Sequence, residues 1–158
     1  MNAISNENKL EIEKRYRTAM IIGLAQVVFV ILIAAGAVVV VGRSAPSELS
    51  GDVTTLWVAI LFLAIGSLIL RRLFNGWERL QNEALLGGIP GVLKKLQKNS
   101  LILGMFAEAI AILGFVIAIY TGSLFDMIRA TAIALVVFFI TFPRKRVWRA
   151  VVANLQDK

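Results

Sequence analysis

The chain has 158 residues, of which 58% are hydrophobic and 17% are charged, and its mean hydropathy is +0.79. Soluble domains are about half apolar and about a quarter charged, so this composition indicates an integral membrane protein. The absence of cysteine and histidine excludes disulfides, thiolate metal sites and histidine acid–base catalysis. The net charge of +7 comes from basic residues that flank apolar stretches, as membrane topology requires, so we expect no nucleic-acid partner.

The first predicted helix begins in the polar N-terminal segment, residues 1–18. Two Glu–Arg pairs spaced by four residues, with the acid first, favour a helix there. This helix is expected to run into a first span over about 19–41, in which Gln26 is the one polar residue. A signal peptide is the alternative, but the apolar run is too long for one and no small-residue cleavage site follows closely.

Turn-forming residues at 42–55 predict a loop, which leads into a second and shorter span at about 53–70. Residues 71–100 are predicted to be a cytoplasmic helical segment. It starts as an extension of the second helix and is broken by the sequence GGIPG at 87–91. We expect a helical hairpin at the lipid headgroups, with its apolar residues inward and its lysines in water. These apolar residues are Trp77, Leu80, Leu85 and Leu86. A docking surface for a partner is the alternative.

The third span, at about 101–120, organises the chain. It has the length of a bilayer-spanning helix and is apolar except for Glu108. Its small residues recur every three or four positions and so form one stripe along the helix, which allows close helix packing in lipid. The helix-packing residues are Gly104, Ala107, Ala111, Gly114 and Ala118.

A fourth span is predicted at about 124–142, and Pro143 ends it. Residues 143–158 are predicted to form an interfacial helix, because their apolar residues, Trp148 among them, lie on one face. The fold class is therefore all-α: one membrane domain over 1–158, built as a four-helix bundle with amphipathic cytoplasmic or interfacial helices.

The basic residues predict the topology. The N-terminal tail has four Lys and Arg residues, the middle segment has six and the C-terminal tail has five, whereas the two remaining loops have one each. This asymmetry places both termini and the middle segment in the cytoplasm. The two halves also share a plan, since RYRTAMIIGLAQ resembles LQKNSLILGMFAE. A duplicated helical hairpin that sets Gln26 opposite Glu108 is therefore one interpretation.

A carboxylate inside a membrane span is a candidate functional group. We consider three hypotheses for Glu108. It can hydrogen-bond to Gln26 and hold helices together, it can load and release a proton or cation, or it can form a salt bridge to another subunit. No metal site or cofactor is expected.

Two family resemblances rest on these residues. The sequence AEAIAILGFVIA, residues 107–118, resembles the ion-binding helix of the c or K rotor subunits of rotary ATPases. The glycine-repeat helix and polar loop of rotor subunits are absent. The placement of Gln26 in the first span and Glu108 in the third is similar to the ATP synthase I chain, a four-span accessory protein. That resemblance implies a role in assembly of the rotor ring or in cation handling.

These observations predict a non-enzymatic accessory, structural or assembly subunit of a larger membrane complex. An energy-transducing complex related to ATP synthase is one interpretation. The alternative is a small oligomeric ion or solute transporter with Glu108 as its proton or cation site. An enzyme that acts on lipid or quinone is the third class. The expected partners are the lipid bilayer and other membrane subunits or a second copy of the chain, and the expected location is a bacterial inner membrane.

Overall fold

A computed structural model describes residues 6–43, 52–74 and 76–156. Regular structure in these ranges is entirely α-helical, which confirms the all-α prediction. The helices of the described ranges are α1 (Asn6–Arg43), α2 (Thr54–Phe74), α3 (Trp77–Thr121), α4 (Leu124–Thr141) and α5 (Lys145–Gln156).

Four of the helical stretches are long and apolar enough to cross a membrane, as the hydropathy predicts. α1 is 38 residues long and joins the polar N-terminal segment to the apolar one without a break. α2 begins where Asp52 Oδ1 accepts a hydrogen bond of 2.9 Å from the backbone N–H of Thr54. The side chain and backbone of Thr54 hold the pKa of Asp52 below its usual value through these hydrogen bonds. The predicted loop before α2 falls mainly on residues 44–51, which lie outside the described ranges.

The segment between the second and third spans differs from a simple extension of α2. α2 ends at Phe74, and a new helix begins at Trp77 after Gly76. Within α3 the backbone leaves helical geometry at Gly88, which has φ 61° and ψ −166°, a conformation that favours glycine. Lys95 Nζ then lies 3.4 Å from the carbonyl oxygen of Arg79, far closer than sixteen residues of straight helix allow. Residues 77–87 therefore fold back along the part of α3 that follows Gly88.

Only one of the four apolar residues expected to face inward on this hairpin is buried. Leu80 is buried, and Trp77 is partly exposed. Leu85 and Leu86, at the tip of the reversal, are 85% and 88% exposed. The backbone reverses at this point, and the described part of the chain leaves both leucines uncovered.

The long helices are arranged around a central pair, α3 and α4. These two helices are joined by Gly122 and Ser123, and Gly122 adopts the left-handed conformation that ends α3. α1 and α2 each pack on both α3 and α4. In the described ranges no Cα atoms of α1 and α2 come within 8 Å of each other. The first two spans therefore do not form a packed hairpin like the second two, so the suggested duplication has no counterpart in the packing.

A second core lies beyond the apolar spans, where α1, α3 and α5 meet. The buried face of α5 carries Trp148 and Val152, which pack against Ile12 of α1 and Leu93 of α3. The rings of Trp148 and Tyr16 meet edge to face, with centroids 5.8 Å apart. Most of the apolar face of α5 therefore packs on protein.

Candidate functional site

The candidate site is the contact between Gln26 of α1 and the Gly104–Glu108 turn of α3. Gln26 is only 8% exposed although it is polar, because its side chain lies directly over Gly104. A Cβ atom at position 104 would lie 2.1 Å from Gln26 Oε1, so only glycine leaves room for the amide there. Gln26 Nε2 donates a long hydrogen bond, 3.4 Å, to the carbonyl oxygen of Leu101.

Glu108 lies one turn further along the same helix. It is half-buried, and it lies four residues after Gly104, against which the Gln26 amide packs. Within the described residues no Lys or Arg forms an ion pair with it. The structure therefore brings together the two polar side chains that the sequence places in separate spans.

This pair has two chemical capacities. An amide presents both a donor and an acceptor, so Gln26 can hydrogen-bond to Glu108 whether the carboxyl group is protonated or charged. Because Glu108 retains partial exposure, an ion or a side chain of a neighbouring subunit can reach it from the surface of the bundle. The geometry is compatible both with a helix-joining role and with an exchangeable proton or cation.

The small residues of the third span lie in helix contacts. Gly104 and Gly114 are buried, and each approaches a different neighbour. Gly104 meets Gln26 of α1, whereas a Cβ atom at Gly114 would lie 2.2 Å from Ala130 Cβ of α4. The three alanines of the stripe, Ala107, Ala111 and Ala118, have no exposed surface. The stripe thus serves two helix crossings, one with α1 and one with α4.

Sequence reasoning missed two residues of these contacts. Ala130 is the counterpart of Gly114, and its signal was the Ala130/Ala134 spacing of four residues in the fourth span. Asn99 is 7% exposed, and its side chain donates a 3.3 Å hydrogen bond to the carbonyl oxygen of Phe74. That bond ties the end of α2 to α3, and nothing in the local sequence indicates it.

In the described part of the chain no three or more carboxylate, cysteine or histidine ligands converge on a point that could hold a metal ion. Comparison with protein-family models, with curated proteins and with solved structures found no match to this chain.

Proposed function

We propose that this chain is an integral protein of a bacterial inner membrane, with both termini in the cytoplasm, and that it serves as a non-enzymatic accessory or assembly subunit of a larger membrane complex. The resemblance to the ATP synthase I chain suggests an energy-transducing complex. The proposed role of Glu108 and Gln26 is to join α1 to α3.

An accessory role is supported by the exposure of α1 and α2, since the rest of the chain covers only a small part of either helix. In the most apolar stretch of each helix, 17% of α1 and 11% of α2 is buried, against 44% of α3. The outer faces of both helices carry large apolar side chains. In lipid such faces meet acyl chains or other helices. Because α1 and α2 do not contact each other in the described ranges, the chain offers two separate surfaces to neighbouring subunits.

The position of Glu108 supports a joining role over a free ion site. Glu108 lies one helical turn after Gly104, against which the Gln26 amide packs, and that amide is held by the Leu101 carbonyl. A hydrogen bond between spans contributes about 0.6–2 kcal/mol in a membrane. A small transporter with Glu108 as the coupling site is the second candidate, and the partial exposure of this residue favours it.

Extraction of the native membrane in a mild detergent, followed by native gel electrophoresis and mass spectrometry, tests the accessory role. We expect the chain to migrate with a larger complex, and the identities of the co-migrating subunits would indicate its function. Migration as a monomer or small homo-oligomer would count against an accessory subunit.

Glu108→Gln separates the two candidates, because glutamine keeps hydrogen bonds and cannot exchange a proton. If Glu108 joins helices, the variant should assemble like the wild type. If Glu108 carries a proton or cation, transport by wild-type proteoliposomes should be measurable and should vanish in the variant. Glu83→Gln is a matched control, since it makes the same change in the hairpin, where Glu83 pairs with Lys95 at 2.8 Å.

A further inference from the structure

A small cavity lies where the ends of α2 and α4 meet α3 and the start of α5. Its volume is about 50 Å³. One water needs about 10–15 Å³, so the cavity has room for about four waters or one compact group such as a phosphate. Its polar lining comes from Arg71, Ser100 and Arg144, together with Asn99 and Thr141.

The charge around this cavity is of one sign. Arg71 and Arg144 line it, and none of the described lining residues is an acid. Neither arginine forms an ion pair among the described residues, although four such pairs occur elsewhere. Two arginines that line one cavity, with no carboxylate among its described lining residues, form a site for an anion, because guanidinium is well suited to the oxygens of phosphate.

Of the three neutral polar side chains in the described lining, two already donate a hydrogen bond within the protein and one does not. The side chain of Asn99 donates to the Phe74 carbonyl, and the hydroxyl of Thr141 donates to the carbonyl of Val137. The Ser100 hydroxyl has no hydrogen-bond partner among the described residues, so it remains able to donate to a third oxygen of the same anion.

The remaining described lining residues are apolar, and they favour a lipid over a free anion as the ligand. Its apolar residues are Leu96, Leu103, Phe142, Pro143, Val147 and Trp148. Arg71 lies in the last turn of α2, and Arg144 follows the end of α4 by three residues. The cavity thus has its charges at the level where apolar helices end, beside a surface suited to hydrocarbon. A phospholipid has this combination of an anionic group and attached apolar chains, and basic pockets at this depth bind such headgroups.

We propose that this cavity binds the phosphate of an anionic phospholipid, with Arg71 and Arg144 as its charged contacts and Ser100 as a hydroxyl donor. The site rests on the proposed membrane location and is independent of the accessory role, since it requires no other subunit. A bound lipid would tie α5 to α2 and α3 at the basic end of the bundle.

The test is native mass spectrometry of the full chain in detergent, titrated with phosphatidylglycerol, with phosphatidylcholine or with inorganic phosphate. We expect the wild type to retain phosphatidylglycerol in preference to phosphatidylcholine. Equal retention of the two lipids would overturn the proposal, as would binding of inorganic phosphate with no preference for the anionic lipid. This comparison uses the wild-type chain alone, so it decides the question even if variants fold poorly.

Paired variants locate the site. Arg71→Gln with Arg144→Gln should weaken phosphatidylglycerol binding by about 25-fold, which is about fivefold for each arginine. Arg72→Gln with Arg146→Gln removes the same charge from neighbouring exposed positions outside the cavity and should leave binding near the wild-type value. An equal loss in both pairs would assign the effect to general surface charge and overturn the site. A native gel showing no larger complex would leave the lipid result unaffected.

Discussion

Gly114→Ala is expected to destabilise the protein at the crossing of α3 and α4. The new Cβ atom would lie 2.2 Å from Ala130 Cβ, whereas carbon atoms in contact lie about 3.5–4.0 Å apart. The two helices would therefore have to separate by about 1.3 Å or more at this point. A methyl group fixed to the backbone cannot rotate aside, so the strain falls on the packing of the central pair. Overpacking of this kind costs about 1–3 kcal/mol.

Reversible unfolding in detergent micelles, followed by circular dichroism, measures this loss. Gly66→Ala is the matched control, because Gly66 lies in the apolar helix α2 and an added Cβ would meet no atom within 4 Å. Its free energy of unfolding should stay within about 1 kcal/mol of the wild-type value, since only helix propensity changes.

A second-site change tests the geometry directly. The variant Ala130→Gly in the Gly114→Ala background removes the clashing Cβ atom. The nearest neighbours of the new methyl group at position 114 are then the Cα atom of residue 130, at 3.6 Å, and Met127 Sδ, at 3.7 Å. Both are ordinary contacts, so the double variant should recover most of the lost stability. Stability of Gly114→Ala equal to that of the Gly66 control, or no recovery in the double variant, would refute the close crossing.

Three further outcomes are expected. Gly104→Ala should displace the Gln26 amide, but a flexible side chain can swing away, so the cost should be about 1 kcal/mol, the net worth of one hydrogen bond. If Gly104→Ala lowered the free energy of unfolding as much as Gly114→Ala does in the same assay, this expectation would be wrong. The hydrogen bond from Lys145 holds the pKa of Glu13 below its usual 4.5, so the stabilisation from this ion pair between α1 and α5 is present above pH 4.5 and lost as the pH falls through the lowered pKa. Hydrogen-exchange protection of α5, corrected for intrinsic rates, should fall in that range, and Glu13→Gln should abolish the pH dependence. Thr131→Val should leave the free energy of unfolding equal or higher, because the buried Thr131 hydroxyl has no partner among the described residues and its removal relieves a desolvation cost. A loss above about 1 kcal/mol would indicate a hidden partner.

Part of the candidate site could be predicted because each of its residues is unusual in its own span. Gln26 is the one polar residue of the first apolar run, and Glu108 is the one charge of the third. Their contact depends on Gly104, whose missing side chain leaves the space that the amide fills. A small residue in an apolar run indicates a close approach but does not identify the approaching helix. The pairing with α1 here, and with α4 at Gly114, is a property of the packed bundle.

In the hairpin around Gly88 and in α5, too, the sequence predicts the local feature and the packing decides what that feature contacts. The turn chemistry of GGIPG predicts a break, and the chain reverses at Gly88. The exposure of Leu85 and Leu86 does not follow from it, because exposure depends on what lies opposite. Likewise, the amphipathic pattern of α5 predicts one apolar face, and only the folded chain places Ile12 and Leu93 against that face.

The sequence by itself determined that this protein is helical and that four of its helical stretches are long and apolar enough to cross a membrane. Length and hydrophobicity act locally, so each stretch carries its own signal. Only the tertiary structure decided that α3 and α4 form the centre, that α1 and α2 stay apart, and that two arginines distant in sequence line one cavity. These arrangements depend on the fit between surfaces far apart in the chain, and apolar faces of similar hydrophobicity are distinguished only by their shape.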